Sequence, residues 1–177
     1  METAAAATTE RPPLAERVAA GAGDLLEQIA REYGVSTLEV VRNLPADQGV
    51  VVSGDAFADI MQDISSWGDV LFLIHNSDIV LECTGKVPQG TFGHGYYNIH
   101  GDSPIGGHIK ADNCKAIAFV ARGLKRISMS VQFYNGAGEA VFKIFVGRDE
   151  NRELIPEQVQ KFEALRALLG VNPARPV

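Results

Sequence analysis

Between residues 24 and 44 the apolar positions recur at helical spacing. Leu25, Leu26, Ile29, Ala30 and Tyr33 form one stripe, Asp24 stands at a capping position with Glu27 three residues on, and Gly34 supplies a stop. The sequence "STLE" (Ser36–Glu39) is a capping box that opens a second short helix, which Pro45 ends. After "GVVVSGD", a third helix is predicted near Asp55–Ser65, with Phe57, Ile60, Met61 and Ile64 directed inward.

The period then falls from helical to two. "DVLFLIHN" and "DIVLECTG" read as strands joined by a polar turn around Asn76–Asp78. Further strands are predicted at Gly95–His100, Gly107–Ala111, Lys115–Ala121, Ile127–Tyr134 and Ala140–Gly147. Met129, Val131 and Phe133 alternate with Ser128, Ser130, Gln132 and Tyr134, and "NGAGE" (Asn135–Glu139) is a hairpin turn. A last helix runs from about Ile155 to Leu169, with Pro156 in its first turn and Gly170 after it. Short connections between successive strands make them antiparallel neighbours. The predicted class is α+β: short N-terminal helices, a large central antiparallel meander, and a C-terminal helix. The chain divides into a flexible tail over 1–22, a single domain over 23–170 and a short tail over 171–177.

Composition narrows the function. The net charge of −6 disfavours nucleic acid, whose binding needs a basic surface to displace counterions, and disfavours an anionic membrane surface as well. The longest apolar run, Val70–Ile74, is too short to span a bilayer. Glu2, Glu10 and Glu16 in a segment with no apolar core argue against a secretory signal or transit peptide. Two cysteines, Cys83 and Cys114, are too few for a disulfide scaffold and read as reduced thiols of a cytoplasmic protein.

The chemistry concentrates in "GHGYYNIHGDSPIGGHIKADNC" (Gly93–Cys114), which holds three of the four histidines. Strand parity places His94, Tyr96, Asn98 and His100 on one face, opposite Tyr97 and Ile99. His108 and Lys110 share a face in the next strand, so a hairpin around "GDSPIG" gathers imidazoles, a phenol and an ammonium. The histidine spacings of six and eight do not suit structural zinc, which takes two ligands from one turn. A G-x-S-x-G elbow and a strand–G-x-G-x-x-G–helix order are both absent. The two N-terminal helices have a helix-turn-helix rhythm, but the second offers a groove only Arg42 and Asn43. A haem pocket survives: iron accepts imidazole or phenolate, propionates want cationic or backbone donors, and glycines let the backbone come close. On pattern alone His75, closing an apolar strand, is more often a hydrogen-bonded rim residue than a ligand.

Four stretches, "TLEVVRNLP" (Thr37–Pro45), "HGYYNIHG" (His94–Gly101), "GGHIKADNC" (Gly106–Cys114) and "VFKIFVGRDENREL" (Val141–Leu154), resemble the ChuX/HutX family of cytosolic haem-utilisation carriers. The likeness runs in order from about Asp24 to Leu169. It implies a homodimer built on an antiparallel sheet and similar to one half of the larger ChuS/HemS-type proteins. It also implies binding of imported haem and delivery to a haem-degrading acceptor. The sequence shows no flavin or nicotinamide fingerprint, no cysteine cluster and no placed acid, so no enzymatic turnover is expected. Carried over by position, the implied iron ligands are His75 and His108, which reverses the pattern reading of His75. Tyr96 is an alternative ligand, and His100 and Lys110 complete the haem-binding set. The alternative function is a haem-degrading, tetrapyrrole-releasing enzyme.

Overall fold

The computed structural model of the protein describes residues 11–170. Helices α1 (Leu14–Ala20), α2 (Leu26–Tyr33) and α3 (Thr37–Arg42) come first, then strand β1 (Gly49–Ser53) and helix α4 (Phe57–Ile64). Strands β2 (Asp69–His75), β3 (Val80–Lys86), β4 (Gly90–Gly93), β5 (Tyr96–Ile99), β6 (Gly107–Ile109), β7 (Ala116–Arg122), β8 (Ser128–Tyr134) and β9 (Ala140–Phe145) follow, and α5 (Pro156–Gly170) closes the chain. The α+β class and the antiparallel pairing agree with the sequence reading.

The strands divide into two sheets. One is six-stranded in the order β1-β7-β8-β9-β2-β3, and the other is three-stranded in the order β4-β5-β6. The expected meander is present as β7-β8-β9, but the chain reaches it only after building β2–β3 on one flank, β1 on the other, and the small sheet.

Two apolar layers sandwich the large sheet. One face presents Ile117, Phe119, Val131, Phe133, Phe142 and Ile144 to α4, α5 and the inner side of the small sheet. The other presents Ala116, Ala118, Val120 and Tyr134 to α1–α3. Aromatic contacts tie the two sheets together. Tyr97 of β5 meets Phe57 edge-on at 5.3 Å, Phe57 meets Phe133 at 5.6 Å, and Phe133 stacks on Phe142 at 4.2 Å.

Three local expectations change. Leu14–Ala20 is helical although it falls in the expected tail, because Val18 is fully buried and Arg17 is anchored to Asp24 at 2.7 Å. Residues 1–10 of that tail and the tail at 171–177 lie outside the described residues. Asp24 does not cap α2, whose N-cap is Leu25 without a side-chain bond. Asp24 and Glu27 are instead spent on Arg17 and Lys143. The Ser36 cap is present: its Oγ accepts from the Glu39 backbone N–H at 3.1 Å.

Candidate functional site

The small sheet carries most of the predicted chemistry. Its β5–β6 register pairs Asn98 with His108 and Tyr97 with Ile109. Tyr97 and Ile99 therefore point into the core, and Tyr96, Asn98 and His108 point away from it. Gly90 permits this packing: its backbone N–H donates to Tyr97 Oη at 3.2 Å, and a Cβ there would lie 2.1 Å from the Tyr97 ring. His94 leaves the face predicted for it. With φ of 53° for His94 and 80° for Gly95, the two residues form the tight turn between β4 and β5.

On the outer face the predicted residues do come together. The His100 and His108 rings are 5.2 Å apart, and Tyr96 and His108 are 5.9 Å apart, both edge-on. Lys110 Nζ sits 5.5 Å over the Tyr96 ring, a cation–π contact that keeps the ammonium at the rim. His108 is exposed, and its Nδ1 lies 2.6 Å from Asn98 Oδ1. The Asn98 amide nitrogen donates to the carbonyls of Thr91, Gly93 and Tyr96, which fixes its oxygen toward His108. His108 must then donate through Nδ1, leaving the Nε2 lone pair facing outward. That is the tautomer an iron ligand needs.

His75 is elsewhere. It ends β2 on the face shared with Leu71 and Leu73, which is the side covered by α2. Its Nδ1 lies 3.6 Å from Glu27 Oε1, and Glu27 forms an ion pair with Lys143 of β9. Burial alone would push the Glu27 carboxyl up, but the Lys143 charge and hydrogen bond outweigh it and hold the group below the ordinary range. Tyr134 beside them is pushed up by burial and then by the Glu27 charge, and its hydroxyl donates to Gln132 Oε1 at 2.5 Å.

Two consequences follow. The small sheet packs on one side of the large sheet and His75 opens on the other, so one chain cannot place His75 and His108 on the same iron. Strand parity also sets Leu71, Leu73, Val80, Val141 and Phe145 around His75, with Val80 and Val141 exposed and the exposed Glu82 on the same face. An imidazole amid half-open apolar wall suits the flat face of a macrocycle.

Among the described residues no group of three or more His, Cys, Asp or Glu side chains could hold a bare metal ion. Haem makes a smaller demand, because the macrocycle supplies four iron ligands and the protein needs to add only one or two. A cavity of about 870 Å³ is walled by Ser36, Arg42, Phe92 and Lys115 among others and has no histidine in its lining. Burial of Cys114 in that region raises its thiol to about 11, which makes it an inert group. His100 and His108 stand exposed on an open face, and His75 is half-buried.

The sequence model of the haem utilisation ChuX/HutX family matches residues 50–165. The chain belongs to this family. It is 35% identical over 140 residues to the intracellular heme transport protein HutX of Vibrio cholerae, covering 78% of this chain and 72% of that protein. Among solved structures, the heme-binding protein ChuX superposes with a TM-score of 0.83 at 40% identity, covering 89% of this chain and 99% of that one. A protein from Agrobacterium tumefaciens superposes with a TM-score of 0.79 at 48% identity, covering 88% and 90%. The Escherichia coli O157:H7 heme-degrading enzyme ChuS shares the fold at 13% identity and a TM-score of 0.73, and this chain spans 49% of it.

For this ChuX/HutX chain, sequence reasoning found His108, His100, Tyr96 and Lys110 as one cluster. It missed what Glu27 and Lys143 do beside His75. Those two residues are 116 positions apart, and no local pattern connects them. Asn98 was visible by parity, but its role depends on three backbone carbonyls that only the folded hairpin brings close.

Proposed function

We propose that this chain is an intracellular haem carrier that takes up imported haem in the cytoplasm and hands it to a haem-degrading acceptor. The observation that carries the reading is the His108–Asn98 pair, which holds an exposed imidazole with its Nε2 lone pair outward on an open face. His75 and His108 are the iron ligands, with Tyr96 as the reserve phenolate. His100 lies against the ligand ring, and Lys110 meets a propionate.

An open face suits transport. Dissociation constants from micromolar to nanomolar correspond to about 8–12 kcal/mol, and haem's apolar surface supplies a large part of that. Loss of one ligand then weakens binding without abolishing it, and an acceptor can reach the cargo.

The reading includes a homodimer. β3 is an edge strand, and Ile79, Val80 and Leu81 at its start are each more than half exposed. Such an edge is a liability unless covered. An iron bound by both histidines would lie between two chains.

Haem titration followed by absorbance tests the function. The chain should bind haem with a Soret shift, and His108→Ala should alter that spectrum and weaken binding. A chain that binds no haem at micromolar concentration would refute the reading.

A further inference from the structure

The two histidines differ in what stands behind them. His108 Nδ1 faces a neutral amide oxygen, Asn98 Oδ1, at 2.6 Å. His75 Nδ1 faces a carboxylate oxygen, Glu27 Oε1, at 3.6 Å. Glu27 pairs with Lys143 and stands in the first turn of α2, where the helix dipole favours negative charge. The charged groups around His75 are thus Glu27 from the helical layer, Lys143 of β9 behind it, and the exposed Glu82 of β3, diagonally across on the same face. At 3.6 Å this contact is longer than a hydrogen bond, and the carboxylate oxygen that faces the ring is the one that Lys143 also holds.

We propose that the two histidines are unequal haem ligands: His75, backed by the Glu27 carboxylate, retains ferric haem, and His108, backed by the Asn98 amide, releases it. This rests on the carrier reading above, with both histidines as ligands. An imidazole whose Nδ1 side faces a carboxylate gains electron density at Nε2 and binds ferric iron more firmly. An amide oxygen orients the ring as well but draws less on the proton, so its imidazole remains an ordinary neutral donor. Glu27 is a positioning residue that acts through His75. A carrier built this way opens from the His108 side when an acceptor offers a competing ligand, and its hold on the cargo stays with His75.

The test uses the full chain. In the haem-free protein, imidazole nitrogen NMR should show both histidines as the Nδ1–H tautomer, whereas free imidazole side chains prefer Nε2–H. Ferric haem is then loaded into His108→Ala, which keeps His75, and into His75→Ala, which keeps His108. Release to excess apomyoglobin should be about tenfold faster from His75→Ala. Adding Glu27→Gln to His108→Ala should erase that advantage. Glu157→Gln, which removes the same charge from the exposed first turn of α5 on the opposite layer, should leave it intact. Equal or reversed release rates, or an Nε2–H tautomer at His75, overturn the proposal. Unchanged spectra in both single variants would sink the ligand assignment itself, whereas altered spectra with equal release would sink only the inequality. Should Glu27→Gln fail to fold, the tautomer and the single-variant comparison still decide.

Discussion

Asn98 accepts from His108 Nδ1 at 2.6 Å while its own amide nitrogen is held by three backbone carbonyls. One side chain thus closes the β4–β5 hairpin and sets the tautomer of its cross-strand partner. The imidazole is oriented by the backbone of the small sheet, which is itself locked to the core through Tyr97 and Phe57.

Asn98→Leu removes this acceptor. Haem affinity should fall by about tenfold, the usual loss for a ligand-orienting partner. The check is an absorbance titration beside His108→Ala. An Asn98→Leu affinity equal to that of the parent would show that the ring needs no such support.

His75→Ala and His108→Ala should each shift the Soret maximum or weaken haem binding several-fold. Asn135→Ala is the control. Asn135 Oδ1 accepts from the backbone N–H groups of Ala137 and Glu139, so its loss should cost about 1 kcal/mol of stability with no spectral change. If both histidine variants match the parent in spectrum and affinity, the ligand is Tyr96.

The helical stripes, the Ser36 cap and the period-two strands were legible because each is written in neighbouring residues. The run "GVVVS" carries no strand signal of its own: three consecutive valines show no alternation, and β1 exists because β7 pairs with it. β4 was missed for a related reason. "GTFG" has poor strand propensity, and its place depends on Gly90 admitting the Tyr97 ring. In the site, the hairpin around "GDSPIG" was within reach of parity arguments, so four of the five predicted residues were found together. The separation of His75 from them depends on which side of the large sheet each element packs, and that is a property of the whole topology.

The opposite-face arrangement yields a test of shared sites. Light scattering should give twice the 19.0 kDa chain mass. If an iron takes His75 from one chain and His108 from its partner, mixing His75→Ala with His108→Ala should restore part of the parental Soret band, because each mixed dimer keeps one intact pair. Mixtures that behave as the average of the two variants would argue for separate sites on each chain.

Glu27 links stability to pH. Its folded-state carboxyl lies below the ordinary value of 4.5, so the unfolded chain takes up protons first as pH falls. The stabilisation is therefore complete above the unfolded value and is lost as pH drops through the lowered folded value. Glu27→Gln leaves Lys143 buried without its counter-charge and should cost about 3 kcal/mol near neutral pH. Denaturant titrations at several pH values should show the gap between parent and variant narrowing below about pH 4.5. A gap that does not change with pH would assign the loss to packing alone.

The last prediction separates carrier from enzyme. A haem-degrading enzyme must activate oxygen on the iron and deliver protons and electrons to the macrocycle, which calls for a distal group placed over the metal. His108 instead presents its lone pair on an exposed face beside His100 and Tyr96, a geometry that favours entry and exit. The likeness to ChuS is one of fold, and function resides in the site placed on it. The ferric complex, mixed with an excess of haem-free acceptor, should transfer its haem intact, seen as the acceptor's own Soret band rising with an isosbestic point. Kept with oxygen and an electron donor, the same complex should bleach only slowly, through peroxide, and catalase should suppress the loss. Conversion to a defined open-chain tetrapyrrole in the presence of catalase would refute the carrier and establish the enzyme.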